Sequence, residues 1–351
     1  MSKILLEQYI RAFLNEGEHD QNTNKCIIVL GPAGVGKSST INEIVGGTGL
    51  KYLNSDQFLE LAIDKKLSSI NKEESKELSR ADFMSMPEYS DQLKSMRDKA
   101  GELNDERLTL YTGIIFGDEE NIKKTNPEKY RKLKKYESAQ NNLGIVIEGT
   151  ASREGSYEWF HNSFIKPLKS KGYDILVVGV YAPFYVCNQR NKSRGKSGGR
   201  EVNLLEMKHV FYGFVQEYSK IINLASNDIA GAITILNTQD IILNGQSKSQ
   251  LEKYVYMITH EGYVEKRKKE IVEKVNKKIK DLQKEKSKDD SEVNKKISDK
   301  EIKKIIEDEN LEAELSLLEK AKESSSEEIS LVRDSISPNS IPALIRRFLN
   351  S

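Results

Sequence analysis

The stretch CIIVLGPAGVGKSST, Cys26 to Thr40, decides the fold. Its first five residues form an apolar, β-branched run of the kind that makes a strand buried on both faces. GPAGVGKSS follows at once, and in it Gly31, Gly36, Lys37 and Ser38 complete the pattern G-x-x-x-x-G-K-[ST] at the start of a helix-like segment. Such a turn lets the backbone from Gly31 through Pro32, Ala33, Gly34 and Val35 to Gly36 wrap around a phosphate with its N–H groups inward. The helix N-terminus adds its dipole. Lys37 is placed to reach the β- and γ-phosphates and the Ser38 hydroxyl to hold Mg2+, with Ser39 beside it in the first turn. The pattern predicts a P-loop that takes ATP and Mg2+.

Four further apolar runs follow, each with a helix-like stretch behind it: KYLNS (51–55), GIVIEG (144–149), ILVVGVYA (175–182) and AGAITILN (230–237). Strands of this kind alternating with helices predict an α/β domain over residues 21–246, with the P-loop NTPase kinase fold and a five-stranded, mostly parallel sheet. The polar insertion 68–142 has several helix-like stretches and no strand signal. It either shapes a substrate pocket or is a decorative helical hairpin.

Outside that domain the sequence changes character. Ile4 to Leu14 repeats apolar residues at helical spacing, so residues 1–20 are expected to hold an amphipathic helix. Residues 247–335 are charged and helix-like, first rich in Lys and then acidic. Ile271, Val275, Ile279 and Leu282 make one narrow apolar stripe, and Leu311, Leu315 and Leu318 another. A basic helix followed by an acidic one predicts an antiparallel hairpin, a coiled coil or docking onto another copy. The tail 336–351, with SIPALIRRFLN, reads as a short amphipathic docking peptide.

A net charge of +1 gives no overall attraction to nucleic acid or membrane. No run approaches membrane-spanning length, and the opening residues lack a secretory pattern. The two cysteines, Cys26 and Cys187, each adjoin an apolar run, as in a reduced, cytoplasmic protein.

Chemistry is expected where strands end. In KYLNSDQF, Asp56 lies just past the second strand, where a carboxylate can accept the proton of an attacking hydroxyl or cap the next helix. In IVIEGTASR, Glu148 and Thr150 emerge at the same sheet edge, with Arg153 close behind. Glu148 has the place of a carboxylate that orients Mg2+ or binds a substrate hydroxyl. After the fourth strand, CNQRNKSRGKSGGREVN brings Arg190, Arg194 and Arg200 together with Gly195, Gly198 and Gly199. That is the place and composition of an arginine-bearing lid over phosphates.

With these elements in order, residues 25–240 resemble the zeta toxin family of P-loop kinases. LNSDQF is similar to the family's strand end with its general base, which implies that role for Asp56. VIEGTASR resembles I-[DE]-G-T-G-R, which carries Glu148 and Thr150 over as substrate-binding. The segment from Arg190 to Arg200 resembles the lid, with Arg190 and Arg200 as the phosphate contacts. Two departures stand out: Ala151-Ser152-Arg153 replaces Gly-Arg, and the family's substrate-binding Glu has no counterpart in 68–142. The resemblance implies transfer of the ATP γ-phosphate to a hydroxyl of a nucleotide sugar such as UDP-N-acetylglucosamine, and an antitoxin or assembly partner for the C-terminal helices. Two other readings share these residues: a polynucleotide 5'-hydroxyl kinase, and a nucleotide-binding assembly protein with vestigial catalysis.

Overall fold

The structure is a computed structural model that describes residues 22–74, 78–138, 141–196, 202–238, 247–256, 263–286 and 311–351. The helix expected over Ile4 to Leu14 lies outside these residues, as do Gly198, Gly199 and Arg200. The chain divides into two compact units, one of Met1–Thr238 with Ser335–Ser351 and one of Gln239–Asp334.

The first unit is built on a parallel sheet of β1 (Lys25–Leu30), β2 (Lys51–Leu53), β3 (Ile145–Gly149), β4 (Asp174–Tyr181), β5 (Gly231–Leu236) and β6 (Ser335–Ile336), in the order β2-β3-β1-β4-β5-β6. Every residue of β1 from Cys26 to Leu30 is fully buried, as a central strand covered on both faces requires. The sheet therefore has six strands, where five were expected. The sixth is two residues long, too short for an apolar run to mark, and is recruited by pairing Ser335 with Thr234 and Ile336 with Ile235. Cys26 and Cys187 are buried thiols, Cys187 donates to the Ala182 carbonyl at 3.4 Å, and burial pushes the Cys26 thiol far up.

Helices α1 (Lys37–Val45), α2 (Ser55–Glu74), α3 (Arg80–Ser85), α4 (Ser90–Thr112), α5 (Glu119–Thr125), α6 (Pro127–Glu137), α7 (Ser156–Phe160), α8 (Lys166–Ser170), α9 (Phe184–Lys196) and α10 (Leu204–Ala225) connect the first five strands. Local chemistry starts several of them. Ser79 and Asp82 exchange hydrogen bonds in a capping box at α3. Asp118, Asn126 and Asn203 each accept a backbone N–H at the start of α5, α6 and α10. The insertion shares a core with the helix that leads into it: Phe58, Leu59, Ile63, Leu67 and Ile70 of α2 pack with Phe83 of α3 and with Leu93 and Ala100 of α4. Helix α2 is thus held at a fixed place beside the sheet edge.

The second unit contains α11 (Lys248–Tyr256), α12 (Tyr263–Lys286), α13 (Leu311–Glu323) and α14 (Ser325–Arg333). Helix α11 packs on α14 and α12 on α13. Leu251, Val255, Ile271, Leu317, Ala321, Leu331 and Val332 are buried there. On the expected stripe of α12, Ile271 is buried and Val275, Ile279 and Leu282 are half-buried. The side chains of Leu311, Leu315 and Leu318 lie outside the described residues. Lys268 and Glu319, 3.9 Å apart, join the basic helix to the acidic one.

The tail belongs to the first unit. After β6 it forms α15 (Ile341–Leu349), which packs on α1 and buries Ile341, Ile345 and Phe348. Among the described residues, no helix is long and apolar enough to cross a membrane.

Candidate functional site

Strand β1 ends at Leu30 and α1 begins at Lys37, so the loop Gly31–Gly36 lies at the carboxyl end of the central strand. In open parallel sheets that edge is where ligands bind. Gly34 and Gly36 hold φ of 76° and 89°, left-handed values that favour glycine. A Cβ at Gly34 would collide with the Cys187 carbonyl, and one at Gly36 with the Asn237 amide.

Lys37 is buried, with 9% of its surface exposed. Its ammonium donates to the carbonyls of Gly31 at 2.8 Å and Pro32 at 3.1 Å, and lies 3.7 Å from Glu148 Oε1. Burial pulls its pKa below the ordinary lysine value, while the charges of Glu148 and then Asp56 push the other way. A buried charge whose neighbours do not fully offset its burial is suited to take an anionic ligand. Ser38 and Ser39 are exposed in the first turn of α1.

Glu148, on β3, lies in register with Val29 of β1, two residues before the loop. Its Oε2 accepts the Tyr52 hydroxyl at 2.5 Å and the Asn54 amide at 2.8 Å. The same amide donates to the Tyr52 oxygen at 2.7 Å. Burial, together with the bond to Glu148, pushes the Tyr52 phenol well above its ordinary value. The other end of Asn54 accepts the Asp56 N–H at 2.7 Å. Asn54 therefore caps α2, the alternative role considered for Asp56, and the Asp56 side chain stands exposed. Thr150 is exposed, with its oxygen accepting from Ser152 at 3.5 Å. Arg153 is exposed too, and among the described residues it forms no ion pair with Glu148; Lys37 is the cation there.

Helix α9 carries Arg190 and Arg194, two of the three arginines expected in a lid. Arg190 donates through one Nη1 to the carbonyls of Val35 at 3.2 Å and Asn237 at 3.1 Å. The Asn237 amide donates to the same Val35 carbonyl at 2.8 Å. Arg190 on α9 and Asn237 just past β5 thus grip the backbone of the glycine loop together at the Val35 carbonyl. Arg194 turns instead to Glu60 of α2, at 3.1 Å. Glu60 also lies 3.5 Å from Arg80 of α3, whose guanidinium grips Asp64. Arg200 lies outside the described residues.

Three residues of this cluster escaped sequence reasoning: Tyr52, Asn54 and Asn237. Asn54 had a signal, since Asn two residues before an Asp at a helix start is a capping pattern. Asn237 is a polar residue at the end of an apolar strand on the ligand edge.

The arrangement fits a phosphorylated ligand and a small divalent cation. The loop between Gly31 and Gly36, the start of α1 and Lys37 could hold phosphate. Magnesium is ordinarily held by one or two protein oxygens plus substrate phosphates, and Ser38 and Glu148 could supply them. Compared with models of known protein families the chain matches none, and no curated protein matches it.

Proposed function

We propose that the chain is a Mg-ATP-dependent kinase of the P-loop class, similar to the zeta toxin family, that phosphorylates a hydroxyl of a small acceptor such as UDP-N-acetylglucosamine. The observation that carries this reading is the meeting of Lys37 and Glu148, 3.7 Å apart beneath a glycine loop, with Asp56 tied to Glu148 through Asn54. A second observation supports the resemblance. Ala151 holds a φ of 47°, the region glycine favours, where the family has Gly.

When bound, ATP supplies the phosphoryl group and Mg2+ offsets its charge. The loop amides and Lys37 hold the phosphates and neutralise the charge that spreads over the transferring group. Ser38 and Glu148 hold the cation. Asp56 takes the acceptor's hydroxyl proton as that oxygen bonds to phosphorus and the bond to the β-phosphate oxygen breaks. Arg190 shapes the loop through Val35, and Arg194 reaches the phosphates once released from Glu60. Thr150 and Arg153 line the acceptor side.

The test is incubation with γ-labelled ATP and either UDP-N-acetylglucosamine or a 5'-hydroxyl oligonucleotide. Label on the sugar, lost in Lys37→Ala and Asp56→Asn, supports the reading. Label on the oligonucleotide alone makes the chain a polynucleotide kinase.

A further inference from the structure

We infer that Tyr52 and Asn54 are positioning residues that aim Glu148 at the cation and fix its spacing from Asp56, an inference that rests on the kinase reading. Glu148 comes from β3 and Asp56 from the first turn of α2, so their spacing is not set by either element alone. Asn54 links the Glu148 carboxylate to the Asp56 backbone with both ends of one amide: its N–H2 donates to Glu148, and its oxygen accepts the Asp56 N–H. These roles cannot be exchanged, because a carboxylate only accepts and a backbone N–H only donates.

Tyr52 completes the clamp. Its hydroxyl and the Asn54 amide both lie on Oε2, which leaves Oε1 as the oxygen that faces Lys37. The Lys37 ammonium stays 3.7 Å from Oε1 while it bonds two loop carbonyls. With Tyr52 and Asn54 both on Oε2, Oε1 is the carboxylate oxygen left on the Lys37 side. Oε1 is thereby kept for the cation's shell, and the side chains behind it act as its outer shell. Outer-shell partners of this kind are commonly worth about 10- to 100-fold in metal affinity.

The test compares Tyr52→Phe and Asn54→Ser with the parent chain, by calorimetric titration of ATP with and without Mg2+ and by thermal unfolding. Serine caps a helix about as well as asparagine but has no amide to reach Glu148, so a purely structural Asn54 is replaced without loss. Both variants should keep the parent's Mg-free ATP affinity and lose about 10-fold or more of the gain that Mg2+ brings. Asn54→Ser should also unfold near the parent's Tm. If Asn54→Ser and Tyr52→Phe keep the full Mg2+ gain, the inference is overturned and Asn54 is only a cap. A parent chain that binds ATP equally well with and without Mg2+ overturns it too, while leaving the nucleotide site standing. A parent that binds no ATP in either condition removes the kinase reading itself.

Discussion

Lys37 brings a positive charge to a place where little water follows, and its loop carbonyls and Glu148 do not make up the whole loss. Its depressed pKa gives a pH signature. Below the folded-state value, both states are protonated and folding bears the full cost of burying the charge. As pH rises from there toward the ordinary lysine value near ~10.4, the folded chain sheds a proton that the unfolded chain keeps. Stability therefore rises across that window, with a slope of at most one proton. Lys37→Met lacks this rise, so denaturant titrations should show wild type gaining on the variant as pH climbs, and the variant should bind no ATP. Equal pH profiles would mean that the charge is not buried. At Ala151 the left-handed backbone costs about 1 kcal/mol for a residue with a Cβ, partly offset by the extra unfolded-state freedom of glycine. Ala151→Gly should accordingly be neutral or stabilising by up to about 1 kcal/mol in the same titrations, and a clear loss would contradict the strain. Lys37 was legible because a fixed spacing within one segment defines it. Tyr52, Asn54 and Asn237 were not, because their roles come from register between strands, which pairs Tyr52 with Val146 and brings Asn54 alongside Glu148.

Helix α15 shows the same division between pattern and partner. Its apolar residues Ile341, Ile345 and Phe348 share one face, which the sequence displays, but nothing in that periodicity names the surface it covers. That surface is α1, the helix that carries Lys37 and Ser38, so the segment read as a docking peptide instead backs the candidate site. Phe348 is almost wholly buried, and the Lys25 ammonium lies 5.2 Å from its ring centre. Phe348→Ala should cost about 3–5 kcal/mol of unfolding free energy. A loss under about 1 kcal/mol would show that α15 is not packed there. The five longer strands were legible because each is an apolar run between turn residues. β6 was hidden because its two residues carry no pattern and are strand only by virtue of β5 beside them.

In the whole chain, the segment between β5 and β6 is an excursion that leaves one α/β unit and returns to it. Composition marked where the charged helices begin, yet it could not show that the last seventeen residues rejoin the sheet's unit, since that depends on pairing across about a hundred positions. A chain ending at Gln246 loses β6 and α15 together and should unfold at a lower temperature than the full chain. Replacing 247–334 by a flexible linker of about 6 to 8 residues should spare that unit, because Thr234 and Ser335 are paired neighbours and the gap to close is short. If the truncated chain is the more stable of the two, the tail is not part of the fold. The proposed activity is transfer of a phosphoryl group from ATP to a small hydroxyl acceptor. Its most direct measurement is mass spectrometry of a cell metabolite pool incubated with the full chain, Mg2+ and γ-labelled ATP. One or a few hydroxylated metabolites should gain a labelled phosphate with the wild type and none with Lys37→Ala or Asp56→Asn. A pool unchanged by the wild type, or labelled equally by all three proteins, would contradict it.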